Sequence, residues 1–209
     1  MNRLHSFTGC RRLFSSSKRF VESGFSLIEL LVVTALLALL MSLGVPALLN
    51  SRQASALTQA GGLMADLASL ARQNAVSRNA PTALLIVKQN APDLLNNRAM
   101  TLVEMDQNRN WRQITSWTIL PESTLATNAT TGGLPTPPWS AGSPALRLRG
   151  TAINPVTQCD AYLFHPNGRL VVSGNTQAKL KVQTVSGAPD NTYELIFNAA
   201  TGSYKVERP

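Results

Sequence analysis

Apolar positions fall into three regimes along the chain. Residues 25–49, FSLIELLVVTALLALLMSLGVPALL, are apolar almost without a break, and Glu29 is the one charge among them. A helix over that stretch rises about 37 Å, enough to cross a hydrocarbon core of roughly 30 Å. From 51 to 79 the apolar residues recur at three- and four-residue steps: Leu57, Ala60, Met64, Leu67, Leu70, Ala71, Ala75 and Val76. Gln59, Asp66, Arg72, Gln73 and Arg78 lie opposite, the signature of a helix packed on its own domain. Gly61 and Gly62 each weaken that helix by about 1 kcal/mol relative to alanine and mark a candidate bend. Pro81 ends it, because the residue before a proline leaves the α region.

Beyond Pro81 the period becomes two. Segments 82–88, 99–105, 111–120, 146–149, 159–164, 169–173, 179–185, 193–198 and 204–207 read as strands. Turn residues at 106–110, 166–168, 187–191 and 201–203 separate them. Lys179-Leu180-Lys181-Val182-Gln183 alternates cleanly, which predicts one buried face and one wet face. Residues 126–145 are rich in Thr, Asn, Gly and Pro with almost no charge, and read as a long exposed loop. The expected fold class is therefore α+β. A long N-terminal helix, transmembrane in its first half and amphipathic in its second, packs on a C-terminal antiparallel β-rich head. The corresponding organisation is a basic leader at 1–24, a membrane helix at 25–49, an amphipathic helix at 50–80 and a head at 81–209.

Charge refines this organisation. The 209 residues hold 19 Lys+Arg against 11 Asp+Glu, a net +8, yet only 14% are charged where roughly 25% is usual. That scarcity argues against a solvated nucleic-acid-binding arm, and a mean hydropathy of zero argues against a polytopic membrane protein. Arg3, Arg11, Arg12, Lys18 and Arg19 stand against Glu22 within 1–24, so five minus one places +4 ahead of the apolar run. The positive-inside rule then keeps 1–24 in the cytoplasm and sends the head across the membrane. Residues 25–209 carry fourteen Lys+Arg against ten Asp+Glu, an ordinary +4, so nucleic acid is not an expected partner.

Glu29 decides between readings of the apolar run. A secretory signal has a core of only 7–15 residues, and although Val45-Pro46-Ala47 loosely resembles its cleavage end, the run here is too long. A plain signal anchor accounts for length and orientation but leaves Glu29 without a role. An ionised carboxylate in lipid costs roughly 2.5–3.5 kcal/mol and needs a partner. An α-amine exposed by a cut just before Phe25 is such a partner.

Gly24-Phe25-Ser26-Leu27-Ile28-Glu29-Leu30 resembles the type IV prepilin (class III) processing motif. The resemblance implies that prepilin peptidase cuts after Gly24 on the cytoplasmic side and methylates Phe25. It implies that Glu29 pairs with the Phe25 amine of a neighbouring subunit during assembly. Two groups that are each costly in lipid then neutralise one another only when the second subunit arrives. Pro46 resembles the family's helix-kinking proline. The leader is longer than the short ones common in the family.

Leu70-Ala71-Arg72-Gln73-Asn74-Ala75-Val76-Ser77-Arg78-Asn79 is similar to the LARxxAVxRN stretch of minor pilins related to FimT and the type II secretion pseudopilin H. Phe164-His165-Pro166-Asn167-Gly168 resembles that group's F-x-P-x-G hairpin, and 196–206 its closing strand–TG–strand hairpin. The middle of the head carries no such motif. Some FimT-like proteins bind DNA through G-R-x-R; the matching Gly202-Ser203-Tyr204-Lys205 lacks both arginines. The resemblance implies a minor pilin or pseudopilin in a type IV pilus-like or type II secretion filament. Its partners would be other pilin or pseudopilin subunits, prepilin peptidase and an inner-membrane assembly platform. It would begin as a single-pass inner-membrane protein with a periplasmic head and end in the filament. A DNA-binding minor pilin for uptake and an uncleaved membrane-anchored β-domain are the alternatives.

No enzyme, cofactor or metal is expected. His165 is the one histidine outside 1–24 and sits beside Pro-Asn-Gly, so it reads as a turn residue. Neither H-E-x-x-H nor a phosphate-cradling glycine loop occurs. Cys10 lies in the leader, which leaves Cys159 alone as a buried apolar thiol. Arg147/Arg149 and Lys179/Lys181 read as solvated strand faces. Trp111, Trp117 and Trp139 read as core or loop anchors rather than a stacking platform.

Overall fold

A computed structural model describes residues 25–88, 95–130, 139–172, 177–185 and 191–208, without the side chains of 43–50. The leader 1–24 and residues 131–138 of the expected loop lie outside it, as do Ser173 and most of the expected 187–191 turn. The chain divides into two units, Met1–Val45 and Pro46–Pro209. Helix α1 (Leu27–Ser77) contributes residues to both.

In the second unit α1 presents a stripe of small residues. Ala60, Met64, Ala68, Ala71 and Ala75 are fully or almost fully buried. Two expected members of that stripe fall outside it: Leu70 is 38% exposed and Val76 50%. Buried positions at 64, 68, 71 and 75 complete the three- and four-residue steps without them, so both lie on the helix flank. The helix α1 runs unbroken through Gly61 and Gly62. A Cβ on Gly61 would stand 2.5 Å from the Tyr193 ring, so that glycine is needed for close approach. Just past the helix, Arg78 and Arg112 hold Glu104, only 5% exposed, at 3.3 and 3.2 Å. That ion triad fixes the end of α1 against the sheet.

The first sheet runs β3 (Trp111–Gln113), β2 (Ala99–Met105), β1 (Thr82–Val87), β8 (Cys159–Phe164), with β4 (Thr118–Ile119) also on β2. The second runs β11 (Tyr204–Glu207), β10 (Thr192–Phe197), β9 (Lys179–Thr184), β5 (Thr124–Asn128). A hairpin of β6 (Leu146–Leu148) and β7 (Thr151–Ile153) stands apart, and every pairing is antiparallel. The fold class is thus the expected α+β.

All six residues of β1 are buried, because its sheet has a core on each side. Leu84 and Ile86 join a core made with α1 and the second sheet, including Tyr162, Leu180, Leu195 and Phe197. Ala83, Leu85 and Val87 face a second core with Trp111, Leu148, Ile153 and Cys159. Strand β9 alternates buried and half-buried residues, as its sequence predicts, because only one side of its sheet is covered.

Four features differ from the sequence reading. Over its described residues the expected 169–173 strand is only an isolated bridge of Leu170 to Phe164. The expected 111–120 strand splits because Thr115 takes over the pairing with its side chain: Leu102 N–H donates to its Oγ1 at 2.9 Å. Strand β5 enters the expected 126–145 loop, with Ala126 buried against β9, and Trp139 packs on the second core. Strand β7 and the one-turn helix α2 (Pro155–Gln158) had no hydrophobic period to announce them. Asn154 caps α2 by accepting the Val156 N–H at 3.0 Å.

Candidate functional site

Glu29 lies in the first turn of α1, where a negative charge complements the helix dipole. The turn opens at Ser26, whose carbonyl accepts the Leu30 N–H at 3.1 Å. Every residue from 25 to 42 is exposed, Phe25 at 76%. Leu27, Ile28, Leu31, Leu36 and Leu40 point around the whole circumference, so no single face is prepared for the chain's own core. An apolar surface of this kind is covered by lipid or by other helices.

The polar atoms of this segment are few and mostly satisfied. Thr34 donates to the Leu31 carbonyl at 3.0 Å and Ser42 to the Leu39 carbonyl at 2.8 Å. Such internal bonds hide hydroxyls from an apolar medium. Glu29 has no ion-pair partner among the described residues.

Phe25 and Glu29 are thus placed within one turn of the helix start, Gly24 lies outside the described residues, and Pro46 lies inside α1 with its side chain outside them. Among the described residues no helix is long and apolar enough to cross a membrane. The expected span over 25–49 runs through residues 43–50, whose side chains are not described.

In the second unit three separated strings meet. Arg72 Nε donates to the Thr201 carbonyl at 2.8 Å, bringing the 198–203 turn onto α1. Gly168 has φ +79° and Gly202 φ +62°, conformations that favour glycine. A Cβ on Gly168 would stand 3.3 Å from Val76 Cγ2, and one on Gly202 would strike the Gly168 carbonyl. The 70–79, 164–170 and 196–206 strings therefore form one junction. Arg72, which the sequence places on the polar face and in the LARxxAVxRN string, is its tie. No local period could signal that.

His165 is an exposed turn residue: its N–H donates to the Arg169 carbonyl at 2.9 Å and its carbonyl accepts from Gly168 at 2.8 Å. It borders an open hollow of about 660 Å³ with Arg169 and Val171. Arg149 sits in the turn after β6 with φ +49°, not on the strand face expected for it. Lys181 pairs with Glu194 at 3.8 Å. Trp111 is a core residue, while Trp117 and Trp139 pack on the second core.

Cys159 is buried, and burial first, then Asp160, push its thiol up to about 12, partly countered by Lys88. Burial also pushes Tyr162 well above the usual phenol range, with its hydroxyl donating to the Lys179 carbonyl at 2.7 Å. Among the described residues no group of His, Cys, Asp and Glu could hold a metal ion.

Residues 19–45 match the prokaryotic N-terminal methylation motif. No curated protein matches the chain. Two structures of the minor pseudopilin EpsH from the type 2 secretion system of Vibrio cholerae are similar to it at 11% and 13% identity. They align with TM-scores of 0.46 and 0.47, over 73% and 74% of this chain and 97% and 95% of theirs. The type IV minor pilin FimU of Pseudomonas aeruginosa aligns at 14% identity and TM-score 0.45, over 72% of this chain and 92% of its own. Likenesses this distant say nothing of what the present chain binds.

Proposed function

We propose that this chain, which joins a prepilin-type methylation motif to a pilin-like arrangement of long helix and antiparallel head, is a minor pilin or pseudopilin subunit. It works by assembly rather than catalysis. The observation that carries this reading is one carboxylate, Glu29, without an ion-pair partner among the described residues, on an exposed apolar helix start. Prepilin peptidase removes 1–24 by cutting between Gly24 and Phe25, and the new Phe25 amine is methylated. The apolar helix waits in the inner membrane with the head on the periplasmic side. Glu29 then takes the Phe25 amine of the next subunit, and the exposed leucines and valines pack as helices gather into a filament on the assembly platform. Pro46 bends the helix where it leaves the membrane.

Mass spectrometry of the chain from its native host tests this. A mature N-terminus at methylated Phe25, lost in Gly24→Val, is the expected result. A chain that starts at Met1 and is indifferent to Gly24→Val would sink the reading in favour of an uncleaved anchor.

A further inference from the structure

Strand β11 is an edge of the second sheet, paired with β10 on one side only. The Phe197 N–H donates to the Ala178 carbonyl, away from β11, and the Asn198 N–H donates to the Ser203 carbonyl. Bonding positions alternate along an antiparallel pair. Lys205 and Glu207 therefore turn their N–H and C=O groups toward β10, while Tyr204 and Val206 turn theirs outward. Among the described residues nothing bonds to those outward groups.

Side chains divide by face. Tyr204 reaches the Ala65 carbonyl on α1, and Val206 shares that face with 39% of its surface exposed. Lys205 and Glu207 lie on the wet face, 3.0 Å apart. Glu207 gains little from its own sheet. It stands opposite Glu194, a like charge that Lys181 already holds at 3.8 Å. An open edge that shows a cation, an apolar residue and an anion in a row selects what pairs with it, because the charges keep other strands off.

We propose that an extended segment of another protein docks antiparallel along β11 and adds a fifth strand to this four-stranded sheet. It carries a basic residue opposite Glu207, a β-branched residue opposite Val206 and an acidic residue opposite Lys205. The residue opposite Val206 exchanges both backbone bonds with it. Sliding the segment by two residues either way sets like charges against each other, so the charges fix the register. A second copy of this chain is not the occupant, although Lys205-Val206-Glu207 would satisfy the same rule. Strand β11 runs along α1 in the opposite sense: Thr201 meets Arg72, Tyr204 meets Ala65, and Arg208 covers Tyr193, whose ring lies against Gly61. Two β11 strands paired antiparallel would point their helices in opposite directions, which copies in one membrane cannot adopt. That exclusion rests on the membrane-anchored reading; the open edge does not.

The test selects displayed random eight-residue peptides on the full chain in lipid nanodiscs, with empty discs as counter-selection. Peptides with the order basic, β-branched, acidic should be enriched. The double variant Lys205→Glu, Glu207→Lys should invert that order. Val206→Pro removes an N–H that β10 does not use, so it should leave Tm within about 2 °C and weaken the enriched peptides at least about tenfold. Should that variant fold poorly, methylating the peptide nitrogen opposite Val206 should cause the same loss with the unaltered chain. No enrichment, enrichment of the reverse order by the unaltered chain, or equal binding by Val206→Pro would overturn the proposal. Self-association of the full chain that Val206→Pro abolishes would overturn it in favour of a second copy. None of these readouts depends on cleavage after Gly24.

Discussion

The first and second halves of α1 use apolar residues of different size for opposite ends. Between 25 and 42 the chain is mostly Leu, Ile and Val, and all of it is exposed. Between Leu57 and Ala75 the buried positions are mainly alanines, with Met64 among them. Large side chains on every face leave the first half without any arrangement that its own chain could complete. Small ones on one face let two sheets come close, to the point where Gly61 carries the ring of Tyr193. Bulk around the whole circumference marks a helix that awaits other molecules; a narrow small-residue stripe marks one already packed.

Variants that separate stability from assembly break or sharpen this contrast. The largest effect is expected for Glu29→Ala, which should abolish incorporation into filaments while leaving the Tm of the head unchanged; incorporation at the normal level would remove the role given to that carboxylate. Ala71→Leu should do the reverse at the source, destabilising the head by about 3 kcal/mol and lowering Tm by roughly 10 °C, because the site is fully buried. Gly61→Ala should cost about 1–2 kcal/mol despite better helix propensity. Combined with Tyr193→Ala it should cost less than the sum, a coupling read from a double-mutant cycle in urea.

A smaller effect belongs to Cys159. Its folded thiol is raised to about 12, so the unfolded chain loses its proton first as pH rises. Stability should be unaffected by this group below pH ~8.5 and should then fall by up to about 1.4 kcal/mol per pH unit through its titration range. Cys159→Ala should remove that part of the slope. At pH 8 the native thiol should resist a chromogenic disulfide reagent that reacts at once in denaturant. The smallest effect is Leu70→Ser, within about 0.5 kcal/mol by urea unfolding, since the side chain lies on the flank of the helix.

What the sequence revealed follows from how local each signal is. Strands β2, β8 and β11 have the predicted bounds, because their apolar or aromatic runs are framed by turn residues. Strand β5 was hidden because Thr124-Leu125-Ala126-Thr127-Asn128 resembles the polar loop that follows, and only its partner β9 makes it a strand. Leu70 and Val76 misled because both fit a helical period that alanines fill. The reason for Gly61 lies at Tyr193, far along the chain and invisible to any window. Glu29 was legible for the opposite cause: one carboxylate in an apolar run is costly wherever the fold takes it.

The contacts of Tyr204 set an order of events. Its hydroxyl lies 2.9 Å from Ser69 Oγ and 3.1 Å from the Ala65 carbonyl, and its ring stands edge-on to Phe197 at 5.9 Å. Strand β11 begins at this residue and closes the second sheet. A ribosome that has delivered the whole of α1 must still deliver well over a hundred residues before that helix can be sealed. The head therefore finishes folding only after residue 204 has emerged. Until then Ala65 and Ser69 of α1 lack this cover, and a chain that stalls before β11 is a substrate for proteases and chaperones.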